Sequence, residues 1–169
     1  MSMRVAVVHY TFSTGGGERV CLCTIEGFNE MGITPDLILA NPVDPELINN
    51  SYGKKLIANV IVKRPLPIKR LGAYQKILFK KRIPRIDTYD LVIDTSGIYV
   101  PFSRQPKNHY IYVYNPLAHR ITDPKYRKGF WRLYWAPYER IMRSAPYRYQ
   151  NVEMLAVSQF TKDRIKEQW

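Results

Sequence analysis

Val5-Ala6-Val7-Val8-His9 is separated by three residues from Ser13-Thr14-Gly15-Gly16-Gly17-Glu18-Arg19-Val20. The unbroken apolar run predicts a strand buried on both faces, with His9 at its C-terminal end. Val20, Leu22, Ile25, Phe28 and Met31 then recur at helical spacing, and Gly32 stands where a helix stops. Strand, glycine turn and helix form the opening unit of a parallel α/β sheet. Three glycines give the backbone access to positive φ and let another group come close. The first-turn N–H groups and the helix macrodipole favour a phosphate or another polar ligand there. A tight βα turn with no ligand is the plainer alternative.

Working outward, the same pattern repeats. Asp36 to Ala40 predicts a second strand, stopped by Asn41-Pro42, and a polar loop follows at Asp44-Pro45. Leu56 to Val62, Asp90 to Gly97, His109 to Tyr114 and Met154 to Val157 predict four more strands. Lys69 to Arg82 reads as a basic amphipathic helix, with Leu71, Tyr74, Ile77 and Leu78 on one side and Lys69, Lys76 and Lys80 on another. Tyr126 to Arg143 reads as a basic, aromatic helix kinked at Pro137, with Phe130, Trp131, Tyr134, Trp135 and Tyr138 forming its aromatic side. Ser158 is placed to cap a last helix, Gln159 to Trp169. Short strands alternating with helices imply an α/β fold, a Rossmann-like parallel sheet with helices on both faces.

A chain of 169 residues fits one domain. Its charge of +12 is uneven. Residues 54–85 hold eleven Lys and Arg and no acid, and residues 104–148 hold ten against Asp123 and Glu139. Such blocks attract phosphate, in nucleic acid or in anionic lipid, unless they are simply solvated surface. Cys21 and Cys23, two apart on a helix, point to different faces and match neither zinc nor redox spacing. No apolar run approaches the roughly 20 residues of a membrane span, and no signal peptide is visible.

In a doubly wound sheet, ligands bind outside the carboxyl ends of the strands. That rim collects His9, Ser13 and the glycines from strand one, and Thr95-Ser96-Gly97 from strand four. Strand five adds Tyr114-Asn115 with His119 just beyond, and strand six adds Ser158. Hydroxyls, an amide, imidazoles and free N–H groups suit a polyhydroxylated or phosphorylated ligand, although each residue alone could equally serve a cap or a turn. Val20 stands where a dinucleotide fingerprint needs its third glycine, and no acid ends strand two. No GK[ST] follows the glycines, and the His and Cys residues form no metal constellation.

The strand ending in His9 and the sequence Gly15-Gly16-Gly17-Glu18-Arg19-Val20 resemble the GGxERV opening of retaining glycosyltransferases of the GT-B fold, family GT4. Within that family the likeness is to the mannosyltransferases that extend dolichol-linked oligosaccharides. Tyr112-Val113-Tyr114-Asn115-Pro116 is similar to the family's YxHxP stretch. Leu155-Ala156-Val157-Ser158-Gln159-Phe160-Thr161 is similar to the segment that closes its N-terminal domain. The resemblance implies that residues 1–169 are a Rossmann-like, acceptor-side N-terminal domain. The donor-binding domain with its paired glutamates is absent from this chain, which by itself is then expected to be inactive. The implied reaction moves a hexose from a GDP- or UDP-sugar to a lipid-linked or membrane-associated acceptor with retention, without metal or cofactor. Gly15, Gly16, Gly17, Glu18, Arg19, His9, Ser96, Tyr114 and Asn115 would contact substrate or phosphate. Tyr114 stands where the family often carries a histidine that approaches the donor sugar, which leaves His119 as the possible catalytic group. The basic aromatic helices would then seat the protein on the anionic cytoplasmic face of a membrane. Two other classes compete: a basic nucleic-acid-binding α/β module, which no RNP, KH or helix-turn-helix pattern supports, and a nucleotide-binding subunit completed by a partner chain.

Overall fold

The structure, a computed structural model, describes residues 3–64, 74–97, 100, 102–114, 128–144 and 152–168. These form six parallel strands: β1 (Val5–Val8), β2 (Asp36–Leu39), β3 (Asn59–Val62), β4 (Leu91–Asp94), β5 (His109–Val113) and β6 (Val152–Ala156). Their order is β3-β2-β1-β4-β5-β6, the doubly wound arrangement the sequence pattern implies. The helices are α1 (Gly16–Glu30), α2 (Pro45–Tyr52), α3 (Tyr74–Lys81), α4 (Gly129–Ser144) and α5 (Gln159–Gln168).

β1 is central and buried along its whole length, which is why its sequence does not alternate. Val5 and Val7, with Leu37 and Leu39 of β2, pack against Cys21, Ile25 and Phe28 of α1. Ala6, Val8, Ile38 and Val92 face the other way, onto Phe79 of α3 and onto Ile83 and Ile86 just beyond it. Helices therefore cover both faces. Each Leu, Ile or Phe withdrawn from water in this way contributes roughly 1.5–3 kcal/mol. α5 sets Ile165 against Ile111 and Val113 of β5.

Four expectations change. The loop expected at Asp44-Pro45 is the start of α2. Asp44 accepts from the Glu46 amide at 2.9 Å, and Pro45 takes the first helical position, where its missing N–H costs nothing. β3 begins at Asn59 and not at Leu56, whose side chain packs beside the α1 layer instead. Lys80, expected on the solvated face of its helix, is buried at 1% exposure and forms an ion pair with Asp94. The aromatic side of α4 is divided: Tyr138 is buried and packs with Ile77 and Val100, while Phe130 and Trp131 are exposed. Cys21 is buried and Cys23 exposed, and Pro137 lies inside α4, both as expected. Lys69 to Ala73 and Tyr126 to Arg127, the starts of the two expected basic helices, lie outside the described residues.

Candidate functional site

The strand order reverses between β1 and β4, so the crevice of a doubly wound sheet falls at their carboxyl ends. β1 delivers His9 there and β4 delivers Thr95, in register through Val8 beside Asp94. The Thr95 amide donates to Val8 O at 2.9 Å, and its hydroxyl donates to the same oxygen at 3.3 Å. With that proton committed, Thr95 Oγ1 accepts from His9 Nδ1 at 2.9 Å. In the tautomer that suits this network Nδ1 carries the proton and Nε2 turns towards Glu18. Nε2 lies 3.9 Å from Glu18 Oε1, too far for a hydrogen bond.

Burial holds the His9 imidazole below its ordinary value, against the opposing pull of Glu18 and Asp94, so it is neutral at pH 7. Burial alone would raise Glu18. The Ser13 hydroxyl at 2.7 Å and the Ser13 amide at 3.2 Å both donate to its Oε1. Together with its own amide and the nearby His9 they outweigh burial and hold the carboxyl below its usual range. In that tautomer two acceptors, a neutral imidazole nitrogen and a carboxylate oxygen, lie side by side without a hydrogen bond between them.

The glycine turn sits over this pair. None of Gly15, Gly16 or Gly17 has positive φ, contrary to the first reason for expecting glycine there. The second reason, close approach, holds at Gly15: a Cβ at that position would stand 2.9 Å from Glu18 Oε2. The Tyr52 hydroxyl at the end of α2 fastens the turn. It accepts from the Gly15 amide at 2.7 Å and lies 3.2 Å and 3.1 Å from the carbonyl oxygens of Ser13 and Gly15. From β5, Tyr114 reaches in and donates to Gly17 O at 3.3 Å. Burial pushes its phenol up. Its ring lies against Gly97, which has φ +75° and whose Cβ, if present, would stand 2.4 Å from Tyr114 Cδ2. Below them the Cys21 thiol is pushed up to about 12 by burial, so it contributes volume and no nucleophile.

The structure thus brings together His9, Gly15, Gly17, Glu18 and Tyr114 of the expected set, with Ser13, Thr95 and Gly97 supporting them. Gly16 is exposed in the first turn of α1, and Arg19 is exposed beyond this network. Ser96 turns to Asp94, donating to Oδ1 from its amide at 2.9 Å and its hydroxyl at 2.5 Å. Ser158 is used as a cap, accepting from the Thr161 amide at 3.1 Å. Asn115 and His119 lie outside the described residues. Tyr52, Lys80 and Asp94 were not expected here. Asp94 had a signal, an acid at the C-terminal end of an apolar strand, whereas Tyr52 had none.

Fold and site together define a Rossmann-like α/β domain with a polar crevice at its switch point. Comparison with protein-family models, with curated proteins and with solved structures finds no match.

Proposed function

We propose that this chain is the acceptor-side domain of a retaining glycosyltransferase. It would take part in moving a hexose from a GDP- or UDP-sugar to a lipid-linked or membrane-associated acceptor. The observation that carries the reading is the pair of acceptors, His9 Nε2 and Glu18 Oε1, held 3.9 Å apart under the glycine turn. A hydroxyl placed alongside the pair could donate to either one, and a sugar acceptor is a ligand rich in hydroxyls. The likeness of Gly15 to Val20 and of Leu155 to Thr161 to the glycosyltransferase segments supports the same reading. α4 supports the membrane part. Phe130 and Leu133 are 72% and 76% exposed, with Arg132 between them in the sequence and Lys128 just before the helix, and exposed apolar and basic groups on one helix suit an anionic interface. The proposed seat is peripheral, on the cytoplasmic face; among the described residues no helix is long and apolar enough to cross a membrane.

NMR titration with a short-chain polyprenyl-diphosphate saccharide tests it. Saturable shifts are expected at the Gly16 and Gly17 amides and at the His9 ring, weakened in His9→Ala and in Glu18→Gln. If no lipid-linked saccharide moves these signals, or if both variants bind as well as the parent chain, the reading is wrong.

A further inference from the structure

A second hollow lies away from the glycine turn, at the carboxyl ends of β2 and β3. Pro42, Val62, Lys63, Arg64 and Arg82 line it, and it encloses about 540 Å³, within the range of small-ligand sites. Its basic character follows from the sheet. β3 pairs with β2 in parallel as far as Leu39 beside Val62, and the Lys63 amide extends the pairing to Leu39 O at 2.7 Å. That contact fixes the backbone where the strand gives way to Lys63 and Arg64. Arg82 comes from the end of α3, where its amide is held by Leu78 O and Phe79 O, each at 3.1 Å. Three cations from two elements therefore meet over a floor of Val62 and Pro42.

Among the described residues no carboxylate pairs with any of the three. The ion pairs formed use Lys54, Lys80, Arg104, Lys107 and His9. The nearest acid in sequence to Pro42, Asp44, is committed to capping α2. Like charges held together without a counter-charge repel one another, and an anion relieves that repulsion. Guanidinium groups favour planar, bidentate contact with phosphate oxygens, and an ammonium adds a point charge.

We propose that Lys63, Arg64 and Arg82 form a binding site for a phosphate or diphosphate group, separate from the crevice between β1 and β4. A soluble ligand and a lipid headgroup present the same phosphate chemistry to these three side chains.

Isothermal titration of the full chain with inorganic pyrophosphate reads the site directly. Saturable binding is expected. Lys63→Gln and Arg82→Gln should each weaken it by about tenfold, the value of one charge-assisted hydrogen bond. Lys162→Gln and Lys166→Gln, which remove the same charge from exposed positions on α5, should leave it unchanged. In a parallel arm the chain is sedimented with phosphatidylcholine vesicles containing phosphatidic acid. Vesicle binding that pyrophosphate displaces and Arg82→Gln weakens places the group on a lipid. Pyrophosphate binding without vesicle binding places it on a soluble ligand. Either outcome supports the site. The proposal is overturned if pyrophosphate does not bind saturably, or if all four variants lower the affinity alike, which would mark diffuse attraction to a basic surface.

Discussion

The Lys80–Asp94 pair allows a sharp test of how this sheet is held together. Asp94 is 0% exposed and Lys80 1%. The carboxylate gives Oδ1 to the two Ser96 donors and Oδ2 to Lys80. Replacing Lys80 by Met keeps an unbranched side chain of similar length and removes the ammonium, which lies 5.6 Å from the centre of the Phe102 ring, so little apolar packing is lost. What remains is a carboxylate in a dry site with one oxygen uncompensated. Breaking a buried pair from one side costs about 3–5 kcal/mol, a large share of the about 5–15 kcal/mol that holds a domain folded. Urea unfolding followed by circular dichroism at pH 7 gives the number by linear extrapolation. Lys80→Met should lose about 3–5 kcal/mol. Adding Asp94→Asn should restore more than half of the loss, because the amide oxygen still serves Ser96 and no charge is stranded. A loss under about 1 kcal/mol for Lys80→Met, or strictly additive losses in the double variant, would refute the reasoning.

Further outcomes can be checked on the same apparatus. Gly97→Ala should cost about 1–3 kcal/mol, because alanine is strained at φ +75° and its Cβ meets the Tyr114 ring; Tyr114→Ala in the same chain should relieve the steric share and leave the backbone share, read as a partial recovery of melting temperature. His109 is buried, with Nε2 unpartnered among the described residues, and burial lowers it to about 4. The folded state then resists a proton that the unfolded chain accepts, so stability should fall as the pH drops from about 6.5 towards 4, by about 3 kcal/mol in all; His109→Gln should flatten unfolding free energy over that window, and an unchanged slope would exclude His109 as its source.

The sheet was legible because its strands are short and mostly apolar, so Val5–Val8, Asp36–Leu39 and Leu91–Asp94 stand out in the sequence, although of the six strands β1 alone is buried at every position. The rim was legible for the same reason: once the strands are placed, their carboxyl ends follow. α2 was missed because Asp44-Pro45 reads as punctuation, although an N-cap acid followed by a first-turn proline is also how helices begin. Lys80 was misplaced because a helical wheel treats every lysine as solvated. Its partner sits fourteen residues on, at the end of a strand that only the fold brings near. Tyr52 could not be seen at all, since its hydroxyl acts on a turn 37 residues earlier.

The inward set of Glu18 has a consequence for what the glycine turn will admit. The positive end of α1 already holds an anion, one that belongs to the chain and is tied down by Ser13. A free phosphate arriving there would meet a charge of its own sign within the first turn of the helix and would have to displace it. A neutral hydroxyl would meet only acceptors. On electrostatic grounds the turn would therefore favour an uncharged polar group over a free phosphate.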